Sequence, residues 1–288
     1  QGDRHEFCLS YLPKRLLRCQ LMAKKKHVPS ISPQPNRHSS TIRITGALLA
    51  AIMIGGLIAA IVANSGGGGS SVVPQTMLAA SSCPAEDGSD APLLSFTARP
   101  TWCLASGFAY TAVFDTTEGE IRVALDVERT PETVNNFAVL TRYGYYDNTS
   151  LFRFDPSIAI IQGGSPHTND WTDPGPGYTI PDEGGMFTSM SDGSLLGPFT
   201  YQSGQLVMAR SGGPNASSAQ FFFTTGPEVS LLDSQGTYLV FGQADEAGLA
   251  VLQAMMDLYV VDETSPYGGG PSRSVDINSV TIVATPGD

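Results

Sequence analysis

Apolar and polar positions change their period several times along this chain, and each change predicts an element. Over 110–126, "YTAVFDTTEGEIRVALD", the two types alternate on either side of a Thr-Thr-Glu-Gly turn, which predicts a β-hairpin. In "TPETVNNFAVLTRYG", 130–144, the period lengthens to that of a helix. Thr130 is the expected N-cap, Pro131 sits at the first helical position, Val134, Phe137, Ala138 and Thr141 share a face, and Gly144 ends the element. Short apolar runs follow at "LFRF", "IAIIQ", "QLVMA", "QFFFTT" and "YLVFG", separated by loops rich in Gly and Pro. A second helix is expected in "DEAGLAVLQAMMDL" and a closing strand in "SVDINSVTIVA". About eight strands and two helices predict a mainly β domain over 109–285, a closed eight-stranded antiparallel barrel capped by two α-helices.

Upstream the pattern is different. Residues 44–63, "ITGALLAAIMIGGLIAAIVA", carry no charge over 20 positions, enough at helical rise to cross a hydrocarbon core of ~30 Å. Residues 1–43 hold nine Lys and Arg against two acids, whereas the rest of the chain holds seven Arg, no Lys and 25 acids. The basic flank predicts a single-pass cell-membrane protein with 1–43 as a disordered cytoplasmic tail, 44–63 as a transmembrane helix in contact with lipid, and the remainder extracytoplasmic. A cleaved signal peptide and a buried core helix are the alternatives. "NSGGGGSS" then opens a Gly-, Ser- and Pro-rich linker and lead-in over 64–108. Cys83 and Cys103, 20 positions apart, would lie on the oxidising side, where they form a disulfide or remain two unrelated buried thiols. The acidic balance of the outer part excludes a nucleic-acid footprint.

The outer part has little nucleophilic chemistry to offer. Its one histidine, His167, falls in "SPHTND", where an exposed polar residue is the ordinary expectation. There is no lysine beyond the tail, no free-standing zinc spacing and no G-x-S-x-G elbow. What is left is arginine, side-chain amides and aromatics on short strands. Such a set can hold a peptide backbone and suits a reaction that breaks no covalent bond.

Four stretches in order then carry a resemblance: "TPETVNNFAVLTRYGYYDNTSLFR", "IIQGG", "MARSGGPNASSAQFFFTT" and "LLDSQGTYLVFGQ". Together, over roughly 108–284, they resemble the cyclophilin-type peptidyl-prolyl cis-trans isomerases. The resemblance implies isomerisation of X-Pro bonds in unfolded or exported polypeptides, by a monomer, with no cofactor and no metal. Position by position it implies Arg153, Gln162 and Phe222 as catalytic, with Phe222 the floor of a proline pocket. It implies Ile160, Ala209, Arg210, Ser211, Gln220, Leu231, Leu232 and Tyr238 as substrate-binding. Departures are Phe152 where the family has His, one extra residue between Arg153 and Gln162, Arg210 for Asn, a Leu at 231 or 232 where many members have Trp, and Tyr238 for His. These leave two other readings open: a proline-peptide-binding module without turnover, and an envelope scaffold acting through its linker.

Overall fold

The computed structural model describes residues 83–183, 188–191 and 195–287. The basic tail, the apolar span at 44–63 and the glycine-rich linker lie outside the described residues. Among the described residues no helix is long and apolar enough to cross a membrane.

The predicted hairpin is present as β1 (Phe108–Thr116) and β2 (Gly119–Leu125). Thr116 closes its turn: its hydroxyl donates to the Gly119 carbonyl at 2.6 Å and accepts from the Gly119 N–H at 3.1 Å. Helix α1 spans Pro131–Arg142; a short strand β3 (Thr149–Ser150), outside the predicted runs, follows, and the five runs become β4 (Arg153–Asp155), β5 (Ile160–Gly163), β8 (Gln205–Arg210), β9 (Ser217–Thr224) and β10 (Val240–Ala244). Helix α2 is Glu246–Met256 and the closing strand β13 is Asp276–Pro286. Two short pairs were not expected: β6 (Thr188–Ser189) with β7 (Leu195–Leu196), and β11 (Tyr259–Val261) with β12 (Gly269–Pro271).

The main sheet has nine antiparallel strands in the order β3-β13-β1-β2-β10-β8-β9-β5-β4. It is curled, and the expected closed eight-stranded barrel is corrected in one respect: no ladder joins β3 to β4 among the described residues. The two end strands are halves of one segment that changes partner midway. The Leu151 N–H goes to Val275 O on the β13 side, and the Phe152 N–H goes to Gln162 O on β5. One bent segment is thus counted as two strands. Inside the curl, Phe114 meets Phe223 at 5.1 Å and Phe221 at 5.6 Å, and Phe137 of α1 stacks on Tyr146 at 5.0 Å.

Helix α1 is buried from Thr133 to Arg142, not along one face only. The reason is the lead-in, which covers its outer side. Cys83 and Cys103 form a disulfide with Cα atoms 5.4 Å apart. Asn135 accepts from the Cys103 N–H at 2.7 Å and donates to Thr101 O at 2.9 Å, while Arg142 donates to Cys103 O at 3.3 Å. Leu93, Phe96 and Leu104 join the same core.

Thr130 occupies the N-cap position of α1, but its side chain does not cap; its hydroxyl donates backwards to Asp126 O at 3.0 Å. The cap comes from Glu183, about fifty positions away. Its carboxylate accepts from the Glu132 N–H at 2.7 Å, the Thr133 N–H at 3.2 Å and the Thr133 hydroxyl at 2.8 Å. Burial raises the Glu183 carboxyl above its ordinary value, and these hydrogen bonds draw it partway back. Glu183→Ala is expected to lower the urea midpoint, with a loss of about 1–2 kcal/mol, the scale of a missing helix cap; an unchanged midpoint would assign the cap to solvent.

Candidate active site

The sheet register aligns three of the singled-out residues. Arg153 on β4 stands opposite Gln162 on β5, and Gln162 stands opposite Phe222 on β9. The extra residue between Arg153 and Gln162 is absorbed in the intervening turn, where Ala159 takes a left-handed conformation, φ 49°, and its carbonyl accepts the Thr225 N–H at 2.8 Å. The one-residue insertion therefore does not shift the ladder.

Strand alternation explains the run of three phenylalanines. Phe221 and Phe223 turn into the aromatic core, packing on Phe114. Gln220 and Phe222 turn to the other face. The Gln220 side-chain carbonyl accepts from Gln162 Nε2 at 2.9 Å, and the Phe222 ring meets Tyr238 edge-on at 5.7 Å. Ile160, two positions before Gln162 on β5, shares that face by the same alternation. Gln162 passes the chain of contacts on: its Oε1 accepts from Arg153 Nη1 at 3.3 Å. Gln220, Gln162 and Arg153 thus form one line of polar side chains beside Phe222.

Arg153 is 3% exposed. Its Nη2 donates to Asp155 Oδ2 at 2.7 Å, and its guanidinium carbon lies 5.8 Å from the Tyr267 ring centre. A guanidinium has five N–H groups. Two are used here, and the Nε–H has no acceptor among the described residues. Burial pushes the Tyr267 phenol up to about 12, and its hydroxyl accepts the Trp171 N–H at 3.3 Å. Burial also raises the Tyr238 phenol, which the Arg210 and Arg153 charges draw partway down.

The remaining singled-out residues sit as follows. Ala209 is buried at the irregular end of β8. Arg210 is buried with its side chain turned to structure, donating to Thr237 O at 3.0 Å and to Gly213 O, with Asp182 Oδ2 at 3.5 Å. Ser211 follows, half-buried, beyond the strand. Leu231 and Leu232 lie on a 3-10 helix, Pro227–Leu232, where Leu231 is 65% exposed and Leu232 is in the core. Of the two, Leu231 is therefore the side chain open to a ligand, and it has no N–H to donate. The Tyr238 backbone is clamped by Tyr201, whose hydroxyl donates to Tyr238 O at 3.1 Å and accepts from its N–H at 2.8 Å.

His167 departs from the expectation of a freely exposed residue. Its Nδ1 lies 3.1 Å from the carboxylate of Asp173, whose side chain is fully buried. A cleft of about 200 Å³ lies away from this set, bordered by Arg99, Trp102, Glu132, Ile180 and Pro181, and none of Arg153, Gln162 and Phe222 lines it. Sequence reading missed Asp155 and Tyr267. The signal for Asp155 was present, since positions two apart on a strand share a face. Tyr267 lies in a glycine-rich loop with no period to read.

Chemically, the set brings together a buried aromatic ring at Phe222, fixed amide groups at Gln162 and Gln220, and a guanidinium that uses two of its N–H groups among the described residues. Its carboxylate, Asp155, is taken up by Arg153 and Ser157. The set can hold an extended apolar residue and donate hydrogen bonds beside it.

Comparison with known proteins gives the same direction. A protein from Mycobacterium tuberculosis described as a probable peptidyl-prolyl cis-trans isomerase B is 34% identical over 174 residues, covering 58% of this chain and 52% of its own length. The Neurospora crassa peptidyl-prolyl isomerase cwc-27 is 32% identical over 200 residues, 62% of this chain and 34% of that protein. The chain thus spans about half or less of the length of these two relatives. A crystal structure of a Cryptosporidium parvum cyclophilin type peptidyl-prolyl cis-trans isomerase aligns at 26% identity with a TM-score of 0.47, covering 62% of this chain and 99% of that one. The family model described as cyclophilin type peptidyl-prolyl cis-trans isomerase/CLD matches residues 111–282. That match runs from within β1 to within β13 and includes both helices, more than half of the chain, and on this extent the chain belongs to the cyclophilin-type peptidyl-prolyl cis-trans isomerase family.

Proposed function

We propose that this protein is a peptidyl-prolyl cis-trans isomerase that acts on exported polypeptides from the outer side of the cell membrane. The observation that carries the catalytic part is the register Arg153–Gln162–Phe222, which sets a guanidinium and an amide beside an aromatic seat on one face of the sheet. Rotation about an X-Pro bond meets a barrier of ~18–20 kcal/mol that arises from amide resonance. The chain needs only to seat the proline ring, hold the flanking carbonyl and favour a twisted imide. The inventory of the site matches those three tasks. The expected result is catalysed cis–trans exchange of an Ala-Pro peptide, read as line broadening or exchange peaks by NMR; saturable binding without exchange would favour the non-catalytic module.

The location rests on sequence: a charge-free span at 44–63 with a basic flank on its N-terminal side. The disulfide between Cys83 and Cys103 fits an oxidising compartment. Protease added to spheroplasts is expected to remove the sheet domain and leave a membrane-bound basic fragment. Recovery of the domain as a soluble form beginning near residue 64 would instead assign 44–63 to a cleaved signal.

A further inference from the structure

We infer that Asp155 is a positioning residue for Arg153, an inference that rests on the isomerase reading above. The two stand two positions apart on β4, so the same face of the strand carries both. Their ion pair is short, 2.7 Å, and both side chains are largely shielded, 4% and 15% exposed. Each Asp155 oxygen has a separate task. Oδ2 takes Arg153 Nη2, while Oδ1 accepts from the Ser157 N–H at 3.1 Å and the Ser157 hydroxyl at 2.6 Å. The carboxylate is therefore fixed by the turn that leads to β5, and it fixes the guanidinium in turn.

The other support for Arg153 is weaker. Gln162 accepts from Nη1 at 3.3 Å, a neutral and longer hydrogen bond. Tyr267 lies 5.8 Å from the guanidinium carbon, a contact that limits position but not rotation in plane. A guanidinium held at one nitrogen can swing; held at both, its plane is set. Held at Nη1 and Nη2, the guanidinium has its plane fixed on the face of the sheet that carries Gln162 and Phe222. Preorganised donors accelerate a reaction because no reorientation is left for the moment of reaction. The paired carboxylate also reduces the net charge near the seat. Orientation outweighs that loss here because the donated hydrogen bond is directional.

The test uses the full chain as wild type, Asp155→Asn, Arg153→Ala and the double variant. Asparagine keeps an oxygen for Ser157 and cannot accept from Arg153 while doing so. Exchange of an Ala-Pro peptide is expected to show kcat for Asp155→Asn down by up to about 10²-fold with KM nearly unchanged, the scale of a catalytic group displaced by about 1 Å. Adding Asp155→Asn to Arg153→Ala is expected to change nothing further, because Asp155 acts through Arg153. Additive losses, or a rise in kcat on removing Asp155, would overturn the inference. A second readout is independent of turnover: rotation about the Arg153 Nε–Cζ bond, seen in guanidinium 15N spectra, is expected to be slow in wild type and fast in Asp155→Asn. An inactive wild type would sink the isomerase reading, and the 15N spectra alone would then decide the role of Asp155: fast rotation in both proteins refutes it. Asp155→Ser, which keeps a short acceptor for the turn, stands in if the Asn variant does not fold; loss of fold in both would make Asp155 a structural residue and end the proposal.

Discussion

Arg153→Ala is expected to lower kcat for X-Pro isomerisation by about 10²–10³, the usual effect of removing one preorganised donor, with peptide affinity and fold little changed. In the planar ground state the imide nitrogen lone pair is delocalised and accepts poorly. In the twisted state it is localised and accepts well. A guanidinium N–H aimed at it is therefore bound more strongly where the barrier is highest, which is the condition for catalysis rather than for binding. The structure leaves Arg153 able to do this, since among the described residues two of its N–H groups are taken, by Gln162 and Asp155. Arg153→Lys is expected to rescue poorly, because one ammonium cannot meet Gln162, Asp155 and a substrate in a single plane. Gln162→Ala is expected to cost less. Peptide exchange kinetics with circular dichroism as the folding control is the measurement; a folded Arg153→Ala protein with undiminished turnover would remove Arg153 from the mechanism.

Phe221→Ala is expected to destabilise the fold by about 3–5 kcal/mol, as for a large buried aromatic cut to a methyl. That is a large part of the stability of an ordinary domain, about 5–15 kcal/mol. Phe221 is fully buried, and its ring meets Phe114 at 5.6 Å, Tyr146 at 5.5 Å, Phe223 at 5.5 Å and Phe137 at 6.1 Å. The neighbouring Phe222 faces the other way, and its aromatic partner is Tyr238. Phe222 is itself only 1% exposed, so Phe222→Ala is expected to cost stability too, less than Phe221→Ala because the cluster around Phe114 stays intact, and in addition to weaken proline-peptide binding. Urea denaturation and peptide titration of the two variants read the contrast directly. If Phe222→Ala were the more destabilising of the pair, the assignment of faces on β9 would be wrong.

The elements were legible wherever local sequence decides them. The β1–β2 hairpin follows from alternation, α1 from Pro131 and Gly144, and α2 and β13 from their periods. Alternation also contained the answer for Phe221, Phe222 and Phe223. The missing parts depend on partners far away in sequence. Nothing near α1 indicates that Glu183 caps it, or that the lead-in covers the side expected to face solvent. Nothing local indicates that the Arg210 side chain is held by Thr237 and Gly213, which leaves only its backbone for a peptide. The choice between Leu231 and Leu232 required the pitch of the 3-10 helix, which a two-residue apolar run does not reveal. The β11–β12 pair is short and glycine-rich, so its pattern falls below what alternation can mark.

The lead-in has a mechanical consequence. A pull on the chain ahead of Cys83 passes through the sulfur–sulfur bond straight to Cys103, and the 19 residues between them form a slack loop that bears no load. Leu93 and Phe96 lie in that loop, so tension does not peel them from the core. The load arrives instead at Cys103, whose N–H is gripped by Asn135 and whose carbonyl is gripped by Arg142, both on α1. Tugging from the N-terminal side is thus delivered to a helix clamped between lead-in and sheet, not to the end of a strand.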